Sequence, residues 1–121
     1  MTERSTATVF LTNLSDHDYS PIAQYGAMRP ITSGNYAIFK TTRLLEEVVA
    51  ALALSEETDY LAFSGSAFVG ALCLTVWLIM HKECNVLLFD PRQNNYVPRV
   101  IKRSEIVIQI EKLREQERRE R

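Results

Sequence analysis

Apolar and β-branched residues run without a break through 8–12 (Thr-Val-Phe-Leu-Thr) and stop at Asn13, a pattern that predicts a buried first strand. Residues 14–34 lose that regularity and fill with Ser, Asp, Pro and Gly. They read as a long loop around one helical turn, with Ser20 as its cap, Pro21 at its first position and Gly26 at its end. Residues 28–32 read as extended, and Pro30 confines them to a sheet edge because it cannot donate to a central ladder.

From Thr41 the period changes. Leu44, Leu45, Val48, Val49 and Leu52 recur on one helical face, with Arg43, Glu46 and Glu47 opposite. Thr41 or Thr42 supplies an N-cap, which places a helix at about 42–55. Tyr60-Leu61-Ala62-Phe63-Ser64 is short and apolar on both faces, as a strand covered from two sides requires. Gly65 then allows a tight turn, and Ser66 to about Lys82 reads as a helix apolar nearly all round, Trp77 included, and so buried on more than one side.

Val86-Leu87-Leu88-Phe89 repeats the buried-strand pattern, Pro91-Arg92-Gln93-Asn94-Asn95 is a turn, and 96–101 return as an antiparallel partner. Beyond them Ile106, Ile108 and Ile110 alternate as in a strand, while Ile106, Val107, Ile110 and Leu113 follow helical spacing. Ser104 as a cap and the charged ending favour the helix, expected to dock through Ile106, Val107 and Ile110.

Strand, helix, strand, helix, strand with short connections is the signature of βαβ units. The expected fold is α/β, a small Rossmann-like three-layer sandwich with a mainly parallel sheet and a C-terminal helix. Its organisation is a disordered N-terminus over 1–7, a single α/β domain over 8–110, and a charged helical tail over 111–121 whose one apolar residue is Leu113.

Composition narrows the function classes. An apolar fraction of 46% with 24% charged residues is that of a globular chain able to bury a core. A net charge of −1 supplies no field to collect phosphate backbones, which argues against non-specific nucleic-acid binding. The basic residues after Lys102 are interleaved with Glu105, Glu111, Glu115, Glu117 and Glu120 and read as a mixed-charge helix. Residues 60–80 carry no formal charge and are long enough to span a bilayer, but Ser64-Gly65-Ser66 interrupts them and the apolar remainder makes a helix of only about 21 Å, so no membrane is expected. Cys73 and Cys84 are two lone cysteines, with no Cys-x-x-Cys spacing for zinc, and imply a reducing compartment and no metal. Residues 1–7 lack the apolar stretch of a secretory signal, so a cytoplasmic protein is expected.

In an open parallel sheet, ligands bind beyond the carboxyl ends of the strands, near the point where strand order reverses. That rule gathers Asn13, Asp16 and His17 after the first strand, Ser64, Gly65 and Ser66 after the middle strand, and Asp90 and Arg92 after the third. Ser64-Gly65-Ser66 opens a helix whose N–H groups and dipole suit an anion, although Ser66 as a plain helix cap explains the same residues. His17 and Asp90 are the acid–base candidates if there is chemistry; Asp90 and Arg92 equally fit a turn. Neither cysteine has an electropositive setting, and no nucleophile elbow is present, so whether the chain is an enzyme is left open.

The segment Thr12-Asn13-Leu14-Ser15-Asp16-His17-Asp18-Tyr19-Ser20 and the later Leu88-Phe89-Asp90-Pro91-Arg92 resemble small uncharacterised α/β proteins of bacteriophages and their bacterial hosts. The resemblance spans most of the chain before the tail, and it carries over no activity and no cofactor. The expected function is therefore that of a small-molecule binding domain for a nucleotide or other anionic ligand. The alternative is a non-catalytic interaction protein acting as a homo-oligomer or by binding a host protein, suggested by the apolar excess of the 66–82 helix.

Overall fold

The structure, a computed structural model, describes residues 6–34 and 40–121. Of the N-terminus expected to be disordered, residues 1–5 lie outside the described residues. Strand β1 (Thr8–Leu14) is followed by a 3-10 turn (Ser20–Gln24), β2 (Ala27–Ser33), α1 (Thr41–Leu52), β3 (Tyr60–Ala62) and α2 (Ala67–Met80). A hairpin of β4 (Glu83–Asp90) and β5 (Asn95–Lys102) leads into α3 (Arg103–Glu120). The five strands form one sheet in the order β2-β1-β3-β4-β5, parallel except for β5. The fold is α/β with a mostly parallel sheet and a C-terminal helix, as the alternation of patterns predicts.

Side-chain alternation distributes β1, β3 and β4 between two cores. Phe10, Leu61 and Val86 face α1 and α2, where they meet Leu44, Val48, Leu52, Val69, Cys73 and Trp77. Val9, Leu11, Ala62 and Leu87 face the other way, against Ile22 of the 3-10 turn and Tyr96. Helices α1 and α2 thus share one face, and the opposite face is covered by the 3-10 turn and its loop. Pro30 sits on β2, which is an edge strand, where its missing N–H costs no ladder bond. Gly26 at φ +154° lets the chain pass so close to Ala7 that a Cβ there would collide with the Ala7 carbonyl.

Trp77 centres the larger core. It is fully buried, its ring meets Phe10 edge-on at a centroid distance of 5.9 Å, and its indole N–H donates to the Glu83 carbonyl over 3.1 Å. At the amino ends of the strands Asp59, also fully buried, accepts from the backbone N–H of Thr8 at 2.9 Å and of Glu56 at 2.8 Å, which ties the start of β1 to the turn before β3.

Three capping expectations are corrected. Lys40, not Thr41 or Thr42, occupies the N-cap of α1, with no side-chain hydrogen bond. Tyr19 precedes the 3-10 turn, and Asp18 rather than Ser20 supplies the local acceptor, taking the Ser20 N–H at 3.0 Å. Lys102 precedes α3 in place of Ser104, because β5 continues to its last paired residue and leaves no free position for a cap.

The docking of α3 is a fourth correction. Ile106, Val107 and Ile110 are each more than 40% exposed and no residue of the helix is buried. The physical reason lies in its root: α3 leaves the outer strand of the sheet, whose two faces already carry α1, α2 and the 3-10 turn. Its first residue is tied to the end of α2, with the Arg103 N–H donating to the Lys82 carbonyl at 3.0 Å and Nη1 to the Leu78 carbonyl at 2.9 Å.

Removing the Trp77 ring should test the placement of the larger core. Trp77→Ala is expected to lower unfolding free energy in urea by about 3–5 kcal/mol, and a loss below about 1 kcal/mol would contradict a close-packed indole.

Candidate functional site

The chain leaves β1 toward β2 on one side and leaves β3 toward β4 on the other, so strand order reverses between the carboxyl ends of the neighbouring strands β1 and β3. Polar side chains tie those ends together. Thr12 is fully buried, and its hydroxyl donates to the Ser64 carbonyl at 2.7 Å while accepting from the Ser64 N–H at 2.8 Å. That exchange continues the ladder one step beyond the point where β3 ends. On the other side of β1, the Thr32 hydroxyl of β2 is within 2.7 Å of the Thr12 carbonyl and 2.9 Å of Asn13 Oδ1.

Asn13 is held beneath the surface by this contact. Gly65 turns across it at φ +82°, and a Cβ at Gly65 would come within 2.9 Å of Asn13 Nδ2, so both the backbone angle and the space require glycine. Ser66 then starts α2 in extended conformation, its Oγ accepting from the Phe68 N–H at 3.2 Å.

The Tyr19 hydroxyl reaches back from the loop to Ser64 Oγ at 2.9 Å and Ser15 Oγ at 3.1 Å, and accepts the Ser15 N–H at 3.2 Å. Burial pushes the phenol up, but hydrogen bonds with Ser15 and Ser64 outweigh it and hold Tyr19 below the ordinary tyrosine value, against the opposing charge of Asp16. Tyr96 shifts the other way: burial raises it, and negative charge on Tyr19 adds to the rise.

Above these groups opens a cleft of about 380 Å³, lined by His17, Asp18, Tyr19, Phe63, Ser64, Gly65, Phe89, Asn94 and Tyr96. His17 stands edge-on to Tyr19 at 6.1 Å, and Phe89 to Tyr96 at 5.3 Å. The lining offers flat aromatic walls and several hydrogen-bonding groups, with one carboxylate and neither Lys nor Arg.

Of the residues the strand-end rule selects, His17, Ser64 and Gly65 line the cleft, and Asn13 lies under it as a support for Gly65. Asp16 is exposed outside it. Ser66 caps α2. Asp90 and Arg92 turn on one another, with the carboxylate accepting the Arg92 N–H at 3.0 Å and meeting its guanidinium at 3.5 Å, the arrangement of a hairpin turn. The strand-end rule does not select Asp18, Tyr19, Phe63, Phe89, Asn94 or Tyr96, which also line the cleft. Asn94 carried a signal, since an Asn inside a turn is the residue that takes positive φ, and here φ is +49°. The aromatic residues carried none beyond standing at strand ends.

Cys73 and Cys84 take no part, being buried in the other core with thiols pushed up to about 12 by burial. No helix among the described residues is long and apolar enough to cross a membrane.

A family model described as Phage Pam3 gp32-like protein matches residues 7–103, about four-fifths of the chain. No curated protein and no solved structure matches. The match is to a phage-type protein, the kind the loop and hairpin segments resemble, and it ends at the first residue of α3.

The opposed shifts of the two tyrosines predict an order of ionisation. In an alkaline titration followed by ultraviolet absorbance, Tyr19 should ionise below the ordinary tyrosine value and Tyr96 above it. Tyr19→Phe should remove the lowered step and move the Tyr96 step to lower pH, because the negative charge that opposes it is gone. A lowered step unchanged in Tyr19→Phe would show that the Ser15 and Ser64 contacts do not hold the phenolate.

Proposed function

The chain belongs to the Phage Pam3 gp32-like protein family, and we propose that this member binds a nucleotide or a similar anionic small molecule in the cleft at the carboxyl ends of β1, β3 and β4. The observation that carries the reading is the cleft's position, at the reversal of strand order and beside the amino end of α2. We read the layers around it as a reduced Rossmann-like sandwich in which the 3-10 turn stands for one helical layer. A ring would lie against Phe63, Phe89 and Tyr96, with its edge on Ser64, Tyr19 and Asn94.

The charge of the lining limits the ligand further. Asp18 faces the same cleft, and neither Lys nor Arg lines it to balance several negative charges. Such a site favours one phosphate or carboxylate directed at Gly65 and the start of α2 over a triphosphate. A reader of a small ligand in the cytoplasm is the role this supports, with no catalytic group assigned.

Thermal shift with nucleosides, nucleoside monophosphates, cyclic nucleotides, sugar phosphates and triphosphates tests the proposal. At a hundredfold excess over its dissociation constant a true ligand adds about 2.7 kcal/mol of stability, read as a rise in melting temperature. Monophosphates should give the largest rise, and Phe89→Ala, a half-exposed position outside the cores, should remove it. No shift with any of these compounds at millimolar concentration would end the proposal.

A further inference from the structure

The helix α3 poses a physical question that the cleft does not answer. It spans 18 residues, about 27 Å, with no residue buried. Ile106, Val107, Ile108, Ile110 and Leu113 are all between 43% and 59% exposed. Isolated helices near this length are marginal in water, and most helical stability in proteins comes from packing an apolar face. The whole chain exposes 8427 Å², where a compact protein of 13.9 kDa exposes about 6,700 Å². The excess, roughly 1,700 Å², is well above the 800 Å² or so that each partner gives to a stable interface.

The order of residues along the helix identifies what covers it. Ile106, Ile110 and Leu113 are spaced by four and three residues and form one stripe. The same stripe begins at Arg103 and continues to Glu117, and Ile110 stands midway between those two charges. Glu115 is engaged elsewhere, on the opposite side of the helix, with Arg118 at 3.8 Å and Arg119 at 3.4 Å.

We infer that α3 pairs antiparallel with α3 of a second copy of this chain, with Ile110 of each copy at the two-fold axis. In that register Arg103 of each copy faces Glu117 of the other, and Ile106 packs beside Leu113. A parallel pair would instead set Arg103 against Arg103 and Glu117 against Glu117, which like-charge repulsion opposes. Five basic and five acidic residues lie within α3, so the helix has no net field to select an acidic or a basic foreign partner, while a copy of itself meets both signs in register. Arg103 keeps its bond to the Leu78 carbonyl in this arrangement, since a guanidinium carries five donors.

Disulfide trapping and sedimentation of the full chain test the register. Ile110→Cys should cross-link efficiently to itself on mild oxidation, since the native cysteines are buried; Glu117→Cys alone should not. By sedimentation the native chain should be dimeric at about 100 µM, and Ile110→Glu monomeric with an unchanged circular dichroism spectrum of the sheet domain. Glu117→Arg should weaken the dimer about tenfold, and adding Arg103→Glu should restore it. A native chain that stays monomeric at that concentration, an Ile110→Glu variant that still dimerises, or self-cross-linking through Glu117→Cys would each overturn the inference.

Discussion

The double exchange between the Thr12 hydroxyl and the Ser64 backbone is the constraint from which the rest of the site follows. β3 pairs with β1 over only three residues, and beyond Ala62 the two chains diverge to opposite faces of the sheet. Without a further tie the strand ends would splay. A fully buried hydroxyl that both donates and accepts stands in for the missing ladder partner, and leaving either Ser64 group unpaired at that depth would cost on the order of 1–3 kcal/mol. Once Ser64 is fixed, Gly65 must cross over Asn13 and Ser66 must start α2, while the Ser64 hydroxyl is presented to Tyr19.

The cleft that results holds one carboxylate, Asp18, and neither lysine nor arginine. Tyr19 is placed so that its ionised form is stabilised, and Tyr96 so that its neutral form is, and the two share one lining. A ligand that displaces water there changes the balance for both. The hydroxyl network around Tyr19 also holds the loop against the strand ends, so the wall of the cleft is continuous with the smaller core through Tyr19 and Ile22.

Much of this fold was legible because its signals were local. The period of α1, the Gly65 turn, the Ser66 cap and the edge position forced by Pro30 each follow from a few neighbouring residues. The site was legible only in part, for a physical reason. His17, Ser64 and Gly65 could be reached by asking where parallel strands end, but Phe89 and Tyr96 enter the cleft through the register of the β4–β5 hairpin, which pairs them directly. Register is a tertiary property, and nothing in the spacing of Phe89 and Tyr96 reveals it. Asp90 and Arg92 meet each other across the hairpin turn and lie outside the lining of the cleft. The exposure of α3 was missed because helical spacing states which residues share a face and not whether anything lies opposite it.

The two unassigned surfaces are separated by the length of a strand. The cleft lies at the carboxyl end of β4, where Phe89 contributes to its wall, whereas α3 starts beside Glu83 at the other end, through the pair Glu83 and Lys102. Six residues of extended chain divide Glu83 from Phe89, about 20 Å. Pairing through α3 therefore leaves the cleft mouth open, and a ligand in the cleft touches no residue of the helix. The family match observes the same division, since it covers the sheet domain with its cleft and stops at Arg103. Coupling between the two surfaces would have to run along β4 itself, which is buried on both faces at Val86 and Leu87 and packed against Trp77 at its start. A strand held that rigidly has one arrangement rather than two, so the physics favours two independent surfaces on one scaffold over a site whose affinity is set by assembly.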